Sequence, residues 1–273
     1  MTTTTQTTHT LTPELIAAFQ EQGYLVVRGL FEPDEVRRLL DNFMEMHRGG
    51  PIPGCFEPSP TDEAGGDVLK RFPRMMHPHR VNDLALRYLL DRRLEAILTD
   101  LFNEEPLAAQ SMLYFKPAGA RGQALHQDNF FLKVEPGTCI AAWAALDPAD
   151  RENGGLEVVP GTHNMGLFCP EEADLDVSFT RDYVPVPDGL EATPVDLAAG
   201  DVLFFNGQLV HGSQPNTTTD RFRRSFICHY VGRSSERMSA WYRPILDFEG
   251  GEVAMEENPW GGPCGTEVAI GPH

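Results

Sequence analysis

Between residues 107 and 232 the sequence changes from helical periodicity to short apolar runs separated by turn-forming residues. Runs rich in β-branched and aromatic side chains, bounded by Gly, Pro, Asn or Asp, predict strands. We expect strands within residues 107–116, 126–134, 138–146, 156–160, 193–197, 201–206 and 222–232. About seven strands that follow a helical segment indicate an α+β fold with a β-sandwich core.

The first hundred residues predict helices with clear start and stop signals. Thr12 and Pro13 form an N-terminal capping pattern, and Gly23 is a typical C-terminal stop. A short strand follows at 24–29, and a second helix begins at Pro33 and ends at the glycines of 49–50. Residues 82–103 read as one or two amphipathic helices.

We interpret residues 1–273 as a single domain with four parts. The parts are a disordered start at 1–10, a helical segment with a lid loop at 11–106, the strand-rich core at 107–232 and a C-terminal extension at 233–273. Irregular segments at 50–66 and 164–190 are the candidate lids. An Asn-Gly-Gly sequence at 153–155 predicts a hairpin turn whose return strand begins at Leu156.

The charge balance excludes several classes of partner. Forty acidic residues against 22 basic ones give a net charge of −18, whereas nucleic acids and anionic membranes attract basic surfaces.

The five cysteines are widely spaced and odd in number, so we expect no disulfide framework or structural zinc site. The N-terminus lacks a signal peptide pattern, and we predict a cytoplasmic protein that acts on a small molecule. The oligomeric state is not predicted.

Candidate metal ligands occur at His126 and Asp128. In an extended strand these two side chains would leave the same face, with Gln127 turned away. His211 lies 85 residues downstream (211 − 126), at the end of an apolar run. Two His and one carboxylate form the facial triad of non-haem Fe(II) oxygenases. An isolated His-x-Asp occurs by chance in many chains, so on its own it favours a surface His beside a solvated Asp.

Arg223 is a candidate anion-binding residue. Its strand alternates, so that Arg223 shares a face with His229 while Arg224 lies on the opposite face. Burying a guanidinium on such a strand is costly without an anion, and a carboxylate can take two parallel hydrogen bonds from it. Ser213 can add a hydroxyl donor. Pairing of Arg223 with one of the protein's own acids is the alternative.

Seven segments in this order resemble the phytanoyl-CoA dioxygenase family of Fe(II)/2-oxoglutarate oxygenases. They are MLYFKP at 112–117, HQD at 126–128, AW at 142–143, NGGL at 153–156, PGTH at 160–163, HGS at 211–213 with Asn216, and FRRSFICHY at 222–230. The likeness spans about residues 107–232, and the helix, strand and helix of 11–43 also look like the N-terminus of that family.

The resemblance implies a double-stranded β-helix, also called a jelly roll, with cupin-like topology and flanking helices. It implies His126, Asp128 and His211 as iron ligands, and Arg223 with Ser213 as the clamp on the distal carboxylate of 2-oxoglutarate. The co-substrate pocket would be completed by three further residues, Met112, Trp143 and, through a looser alignment, Arg74. By the same resemblance His163 is structural, whereas His229 is either a residue at the pocket border or an ordinary core histidine.

The resemblance also implies the reaction. We expect hydroxylation of an unactivated C–H bond of a small polar metabolite or natural-product intermediate, with O2 as second co-substrate and succinate and CO2 as products. Phytanoyl-CoA itself is disfavoured, because an acidic chain offers few basic residues to CoA phosphates. Desaturation, cyclisation or epimerisation would use the same site. A non-enzymatic cupin-like binder is a second alternative, although it would need no carboxylate clamp.

Overall fold

The computed structural model describes residues 10–60 and 62–259. Most helical residues precede the strand-rich region, as the sequence predicts. The α-helices are α1 (Pro13–Gln22), α2 (Pro33–Gly49), α3 (Val68–Arg71), α4 (Asp83–Leu89), α5 (Arg92–Phe102) and α6 (Asp128–Leu132). Short 3₁₀-helices lie at Pro78–Arg80, Thr162–Met165 and Ala240–Tyr242.

Strands occur between Tyr24 and Glu257, and half of them have only two residues. The longer ones are β3 (Pro106–Lys116), β5 (Cys139–Ala145), β10 (Val202–Asn206) and β12 (Arg223–Gly232). Four-residue strands are β1 (Tyr24–Val27), β4 (Gln123–His126), β6 (Leu156–Val159) and β11 (Val210–Ser213). Two-residue strands are β2 (Met75–Met76), β7 (Glu171–Glu172), β8 (Asp182–Tyr183), β9 (Thr193–Pro194), β13 (Arg237–Met238), β14 (Ile245–Leu246), β15 (Glu252–Val253) and β16 (Glu256–Glu257).

The helix boundaries follow the capping signals in the sequence. The Thr12 hydroxyl accepts a hydrogen bond from the Leu15 amide at the start of α1. Gly23 ends that helix in the left-handed region, at φ 83°. In α2 the buried side chains Val36, Leu39 and Phe43 recur at helical spacing. The predicted region 82–103 forms two helices, α4 and α5.

The larger sheet has the order β1-β10-β5-β12-β3-β14-β15, with β2 paired to β3. Its central strand β12 pairs antiparallel with β3 and with β5. One face packs against the helices in a large apolar cluster that includes Phe43, Leu98, Phe226 and Tyr230. The sheet recruits strands from outside residues 107–232, because β1 and β14 also belong to it.

The smaller sheet has the order β4-β11-β6-β9. Its strands share an apolar cluster with the inner face of the larger sheet, through contacts that involve Leu156, Val158, Trp143 and Ile227. The two sheets therefore pack face to face. Polar side chains on the inner faces lie between two apolar layers and away from solvent.

Two local predictions are wrong. The expected strand at 126–134 ends at His126, and Asp128–Leu132 forms the short helix α6. All five residues of α6 are buried, and a fully buried helical turn cannot be told from a buried strand by its pattern. The Asn-Gly-Gly turn does form, with Gly154 at φ 76°, but it is not a hairpin, because β5 and β6 belong to different sheets.

Three further findings concern the remaining segments. The irregular stretch 164–190 contains one short strand pair, β7 with β8, and its role as a lid stays a prediction, as does that of 50–66. Cys169 is disulfide-bonded, which the wide spacing gave no reason to expect, whereas Cys55, Cys139 and Cys228 are free thiols. In the part of the chain that the structure describes, no helix is both long and apolar enough to cross a bilayer. Residues 1–9 and Trp260 lie outside the described residues.

Candidate metal centre

The three predicted metal ligands converge between the sheets. His126 is the last residue of β4, His211 lies opposite it on β11, and Asp128 opens α6. Asp128 Oδ1 lies 3.5 Å from His126 Nε2 and 3.6 Å from His211 Nε2. One ligand atom from each residue falls within 4.8 Å of the others, and all three residues are buried. This is a donor set of two imidazoles and one carboxylate.

Backbone carbonyls fix both imidazole rings. His126 Nδ1 lies 2.8 Å from the Ala124 carbonyl, and His211 Nδ1 lies 2.9 Å from the Leu209 carbonyl. A carbonyl only accepts, so each Nδ1 carries the proton and each Nε2 keeps its lone pair. The Gln123 amide donates to His126 Nε2 at 3.1 Å, which is consistent with that tautomer. Metal-binding histidines are held by partners of this kind.

The two oxygens of the Asp128 carboxylate have different partners. Its Oδ1 faces the two ligand imidazoles, whereas its Oδ2 accepts a hydrogen bond from His229 Nε2 at 3.0 Å. Burial alone would raise the pKa of Asp128, but electrostatic interactions with His211 and His229 and hydrogen bonds from His126 and His229 hold it well below the usual value. The carboxylate is therefore ionised, and His229 on β12 lies at the border of the metal site.

Arg223 is buried at the far end of the same face of β12, with 2% of its surface exposed. Its Nε donates to the Gly154 carbonyl at 3.1 Å, and Nη1 donates to Ser225 Oγ at 2.8 Å. The guanidinium lies 5.3 Å from the centre of the Trp143 ring. Among residues 10–60 and 62–259 it forms no ion pair with an acid, so the alternative that Arg223 pairs internally is not supported.

Lys116 is a second buried cation beside Arg223, and the sequence reasoning assigned it no role. It is Arg223's register partner on β3 and is 1% exposed. Its Nζ donates to Ser213 Oγ at 2.8 Å and to the Gln214 carbonyl at 2.7 Å. Burial and the charge of Arg223 lower its pKa well below the ordinary value. The sequence did contain one signal for this position, because in an extended strand Lys116 lies on the same face as Met112, a predicted pocket residue.

Arg223 and Lys116 form no ion pair among the described residues, and together they make this end of the site a cationic pocket. Arg223 and Ser213 line the cavity beside the triad together with Met112 and Trp143. Arg74 lies one layer further out, where its guanidinium donates to the Tyr114 hydroxyl at 3.0 Å. Tyr114 itself lines the cavity, so Arg74 contacts its wall but not its interior.

Three residues near the site in sequence or space have side chains that lie outside it. His163 Nε2 is 3.0 Å from the Gln20 carbonyl of α1, which fits the structural role predicted for it. Arg224 forms an ion pair with Asp147 at 2.7 Å on the outward face of β12, as the strand alternation predicts. Gln127 turns away from the metal site and donates to the carbonyls of Gly166 and Gln208.

Comparison with known proteins agrees with this geometry. "Phytanoyl-CoA dioxygenase 1" of Oryza sativa subsp. japonica is 28% identical over 237 residues, covering 76% of this chain and 84% of the relative. The structure of the epimerase SnoN in complex with Fe3+, alpha ketoglutarate and nogalamycin RO has a TM-score of 0.65 at 24% identity and covers 85% of each chain. That of the carbocyclase SnoK has a TM-score of 0.66 at 22% identity, covering 83% of this chain and 86% of SnoK.

The two solved structures, at identities below 25%, show likeness of fold. The family evidence comes from the profile of the phytanoyl-CoA dioxygenase (PhyH) family, which matches residues 19–225. That match includes the triad and the two buried cations, and it ends three residues into β12. Because it covers well over half of the 273 residues, the chain belongs to the phytanoyl-CoA dioxygenase family.

Proposed function

We propose that this protein is an Fe(II)- and 2-oxoglutarate-dependent dioxygenase. The observation that carries the proposal is a buried His126/Asp128/His211 triad that shares its cavity with Arg223, which forms a cationic pocket with the neighbouring buried Lys116. A metal binder needs only the first feature, whereas a metal enzyme that uses a dicarboxylic co-substrate needs both. Family membership and the printed Fe3+ and alpha ketoglutarate of the SnoN complex support this assignment.

The residues fit a ferrous ion. Two neutral imidazoles and one ionised carboxylate match the donor preference of non-haem Fe(II), and three protein ligands leave positions for a co-substrate and O2. An iron ion held by these three residues would activate O2 with 2-oxoglutarate as the electron donor, so that one oxygen atom would enter a substrate C–H bond and the other would enter succinate, with CO2 released. The protein holds the ligands in one geometry and keeps bulk water from the cavity.

The cationic pocket fits the distal carboxylate of 2-oxoglutarate. Arg223 would donate charge-assisted hydrogen bonds to it, and Ser213, held by Lys116, would add a hydroxyl. Met112 and Trp143 would form the walls around the carbon chain. Arg74 would act through the Tyr114 hydroxyl that it orients, which is a more distant role than direct contact.

We further propose that the two packed sheets form a double-stranded β-helix, the jelly-roll core of cupin-like proteins. The pairing of β4 with β11 supports this, because it unites the first and third metal ligands although 85 residues separate them (211 − 126). In this proposal residues 107–232 form the core, and residues 233–273 are a C-terminal extension of it.

The reaction that we favour is hydroxylation of a small polar metabolite or natural-product intermediate. The named activities of SnoN and SnoK, an epimerase and a carbocyclase, make epimerisation or cyclisation the second candidate. Phytanoyl-CoA is disfavoured by the net charge of −18, which would repel CoA phosphates. No nucleic acid or membrane partner is proposed, and we retain the prediction of a cytoplasmic protein.

The test is succinate formation from 2-oxoglutarate in the presence of Fe(II), O2 and a panel of amino acids, small acids and acyl thioesters. His126→Ala should abolish both metal binding and succinate formation. His163→Ala is the matched control, because this histidine lies against α1, and it should keep both. Succinate formation that persists in His126→Ala at the wild-type rate would refute the proposed function.

A further inference from the structure

Three buried polar side chains lie next to the metal centre without hydrogen-bond partners. His77, Gln110 and Tyr242 are 4%, 0% and 0% exposed. Within residues 10–60 and 62–259, no partner is found for either ring nitrogen of His77, either amide atom of Gln110 or the Tyr242 hydroxyl. We call these three residues the polar cluster.

Backbone and ring contacts place the polar cluster beside the metal ligand Asp128. The His77 amide donates to the carbonyl of Ser111, the residue after Gln110, at 2.9 Å. The ring centroids of His77 and Tyr242 are 6.4 Å apart. Gln110 lies opposite His229 in the register of β3 and β12, and His229 Nε2 is 3.0 Å from Asp128 Oδ2. The cluster therefore continues the metal site on the side away from Arg223.

Such an arrangement is unfavourable unless a ligand completes it. A buried polar atom that loses water and gains no partner destabilises the fold, and native proteins contain few of them. His77 also has a left-handed backbone conformation, at φ 50° and ψ 43°, which a residue with a side chain rarely adopts. Backbone strain and unsatisfied polar groups concentrate at binding sites, where a ligand supplies the missing interactions.

The chemistry of the cluster restricts the ligand to a neutral group. Burial lowers the pKa of His77 to about 2, so the imidazole is uncharged at neutral pH. Burial and the Asp128 carboxylate raise the pKa of the Tyr242 phenol, which is therefore also uncharged. The nearby cation Arg80 already donates to the carbonyls of Tyr242 and Arg243. The cluster thus offers neutral donors and acceptors, and Asp128 disfavours a second anion.

We propose that His77, Gln110 and Tyr242 bind a neutral hydroxyl- or amide-bearing group of the organic substrate, such as a sugar hydroxyl or a carboxamide, beside the metal centre. This inference rests on the proposed oxygenase function for the identity of the metal site. The Trp241 ring, 4.3 Å from the His77 ring, provides an apolar wall of the kind that packs against the carbon face of such a group.

The first test compares two buried tyrosines. The Tyr230 hydroxyl donates to the Leu89 carbonyl at 2.7 Å, whereas the Tyr242 hydroxyl has no described partner. Without ligand, Tyr230→Phe should lower the Tm by about 2–4 °C, since a satisfied hydrogen bond is lost. Tyr242→Phe should leave the Tm unchanged or raise it. An equal loss in both variants would show that Tyr242 is already satisfied inside the protein and would overturn the proposal.

The second test uses matched probes with the protein loaded with Ni(II) and 2-oxoglutarate. Methyl glucoside is compared with glucuronate, and benzamide with benzoate, at millimolar concentration. A neutral probe should raise the Tm of the wild type more than its carboxylate counterpart does. The triple variant His77→Phe/Gln110→Leu/Tyr242→Phe should lose that shift while still binding Ni(II) and 2-oxoglutarate.

Any of three results would overturn the inference: a larger shift with the carboxylates, equal shifts in wild type and triple variant, or no shift with any probe. Failure of the wild type itself to bind Ni(II) and 2-oxoglutarate would instead count against the proposed function. The two failures are therefore distinguishable, because metal and co-substrate binding are measured before any probe is added.

Discussion

Removing the buried guanidinium of Arg223 should separate co-substrate binding from metal binding. In Arg223→Met the side chain keeps its bulk on β12 but loses its charge and its donors. The guanidinium lies on the opposite side of the cavity from His229, the residue that contacts Asp128, so the triad should keep its geometry. We expect 2-oxoglutarate affinity to fall steeply while Ni(II) affinity stays within about twofold.

The magnitude follows from the burial of the group. A hydrogen bond to a charged partner contributes about 1.5–3 kcal/mol, and an arginine can form two of them with one carboxylate. A net loss of about 3 kcal/mol corresponds to roughly a hundredfold increase in Kd. Lys116→Met should cost less, about tenfold, because its Nζ already donates to Ser213 and Gln214.

The same substitutions have an opposite effect on the protein without ligand. Burial lowers the pKa of Arg223 to about 10, which reports that the unliganded fold disfavours its charge. Removing one of two adjacent buried cations should therefore leave the Tm unchanged or raise it. Loss of binding together with retained stability is the expected signature of a residue whose charge serves a ligand.

Isothermal titration calorimetry of 2-oxoglutarate into Ni(II)-loaded protein measures the first effect, and thermal unfolding measures the second. Arg224→Met is the matched control, since the neighbouring residue pairs with Asp147 on the outer face of β12. It should lower the Tm slightly and leave 2-oxoglutarate binding intact. Wild-type co-substrate affinity in Arg223→Met, or an equal loss of Ni(II) and 2-oxoglutarate, would refute this reasoning.

Three further predictions concern single residues. His229→Phe removes the donor to Asp128 and should weaken Ni(II) binding about 10–100-fold by titration; unchanged affinity would contradict a positioning role. Gly154→Ala should lose about 2–4 kcal/mol of unfolding free energy in urea, because its φ is +76° and a Cβ would lie 2.6 Å from the Gln214 carbonyl oxygen. Gly119→Ala, at φ +77° with nothing within 4 Å, should lose less, and equal losses would refute the steric part. The folded pKa of His77 is about 2 and its ordinary value 6.5, so the unfolded chain binds the extra proton between them. The contribution of His77 to the free energy of unfolding is therefore complete above pH 6.5. Below pH 6.5 this contribution falls by at most about 1.4 kcal/mol per pH unit. The substitution His77→Phe should make the free energy of unfolding in urea less dependent on pH between pH 7 and 5. The same pH dependence in the variant and the wild type would contradict this.

The residues that sequence could identify lie in short segments that can be interpreted without knowing which strands pair. The capping pattern at Thr12 and Gly23 predicts α1 because a helix end is determined by a few neighbouring residues. The facial triad was within reach because its residues lie in short segments that resemble a known family in the same order, whereas His-x-Asp alone would not have identified it. Arg223 could be singled out because a strand that alternates assigns it to the inner face without knowledge of the partner strands.

What sequence missed depends on which strands pair. The sequence places Lys116 on the same strand face as Met112, but only the register of β3 and β12 shows that it lies across from Arg223. The turn at Asn153 and Gly154 was predicted, but its local signal contains no information on whether the next strand joins the same sheet. The strand expected at 126–134 was wrong because Phe130, Phe131 and Leu132 are buried in a helical turn just as they would be in a strand.

The register of β12 links the fold to the proposed chemistry. Its inner face carries Arg223 at one end and His229 at the other, so one strand borders both the cationic pocket and the proposed metal ligand Asp128. Its outer face packs Phe226 and Tyr230 against the helices. A slip by one residue would expose that apolar face to the cavity and replace Arg223 by Arg224. The slipped strand would lose its apolar core and would also break the ion pair between Arg224 and Asp147. The burial pattern that selects the fold therefore also selects which arginine is available to a co-substrate.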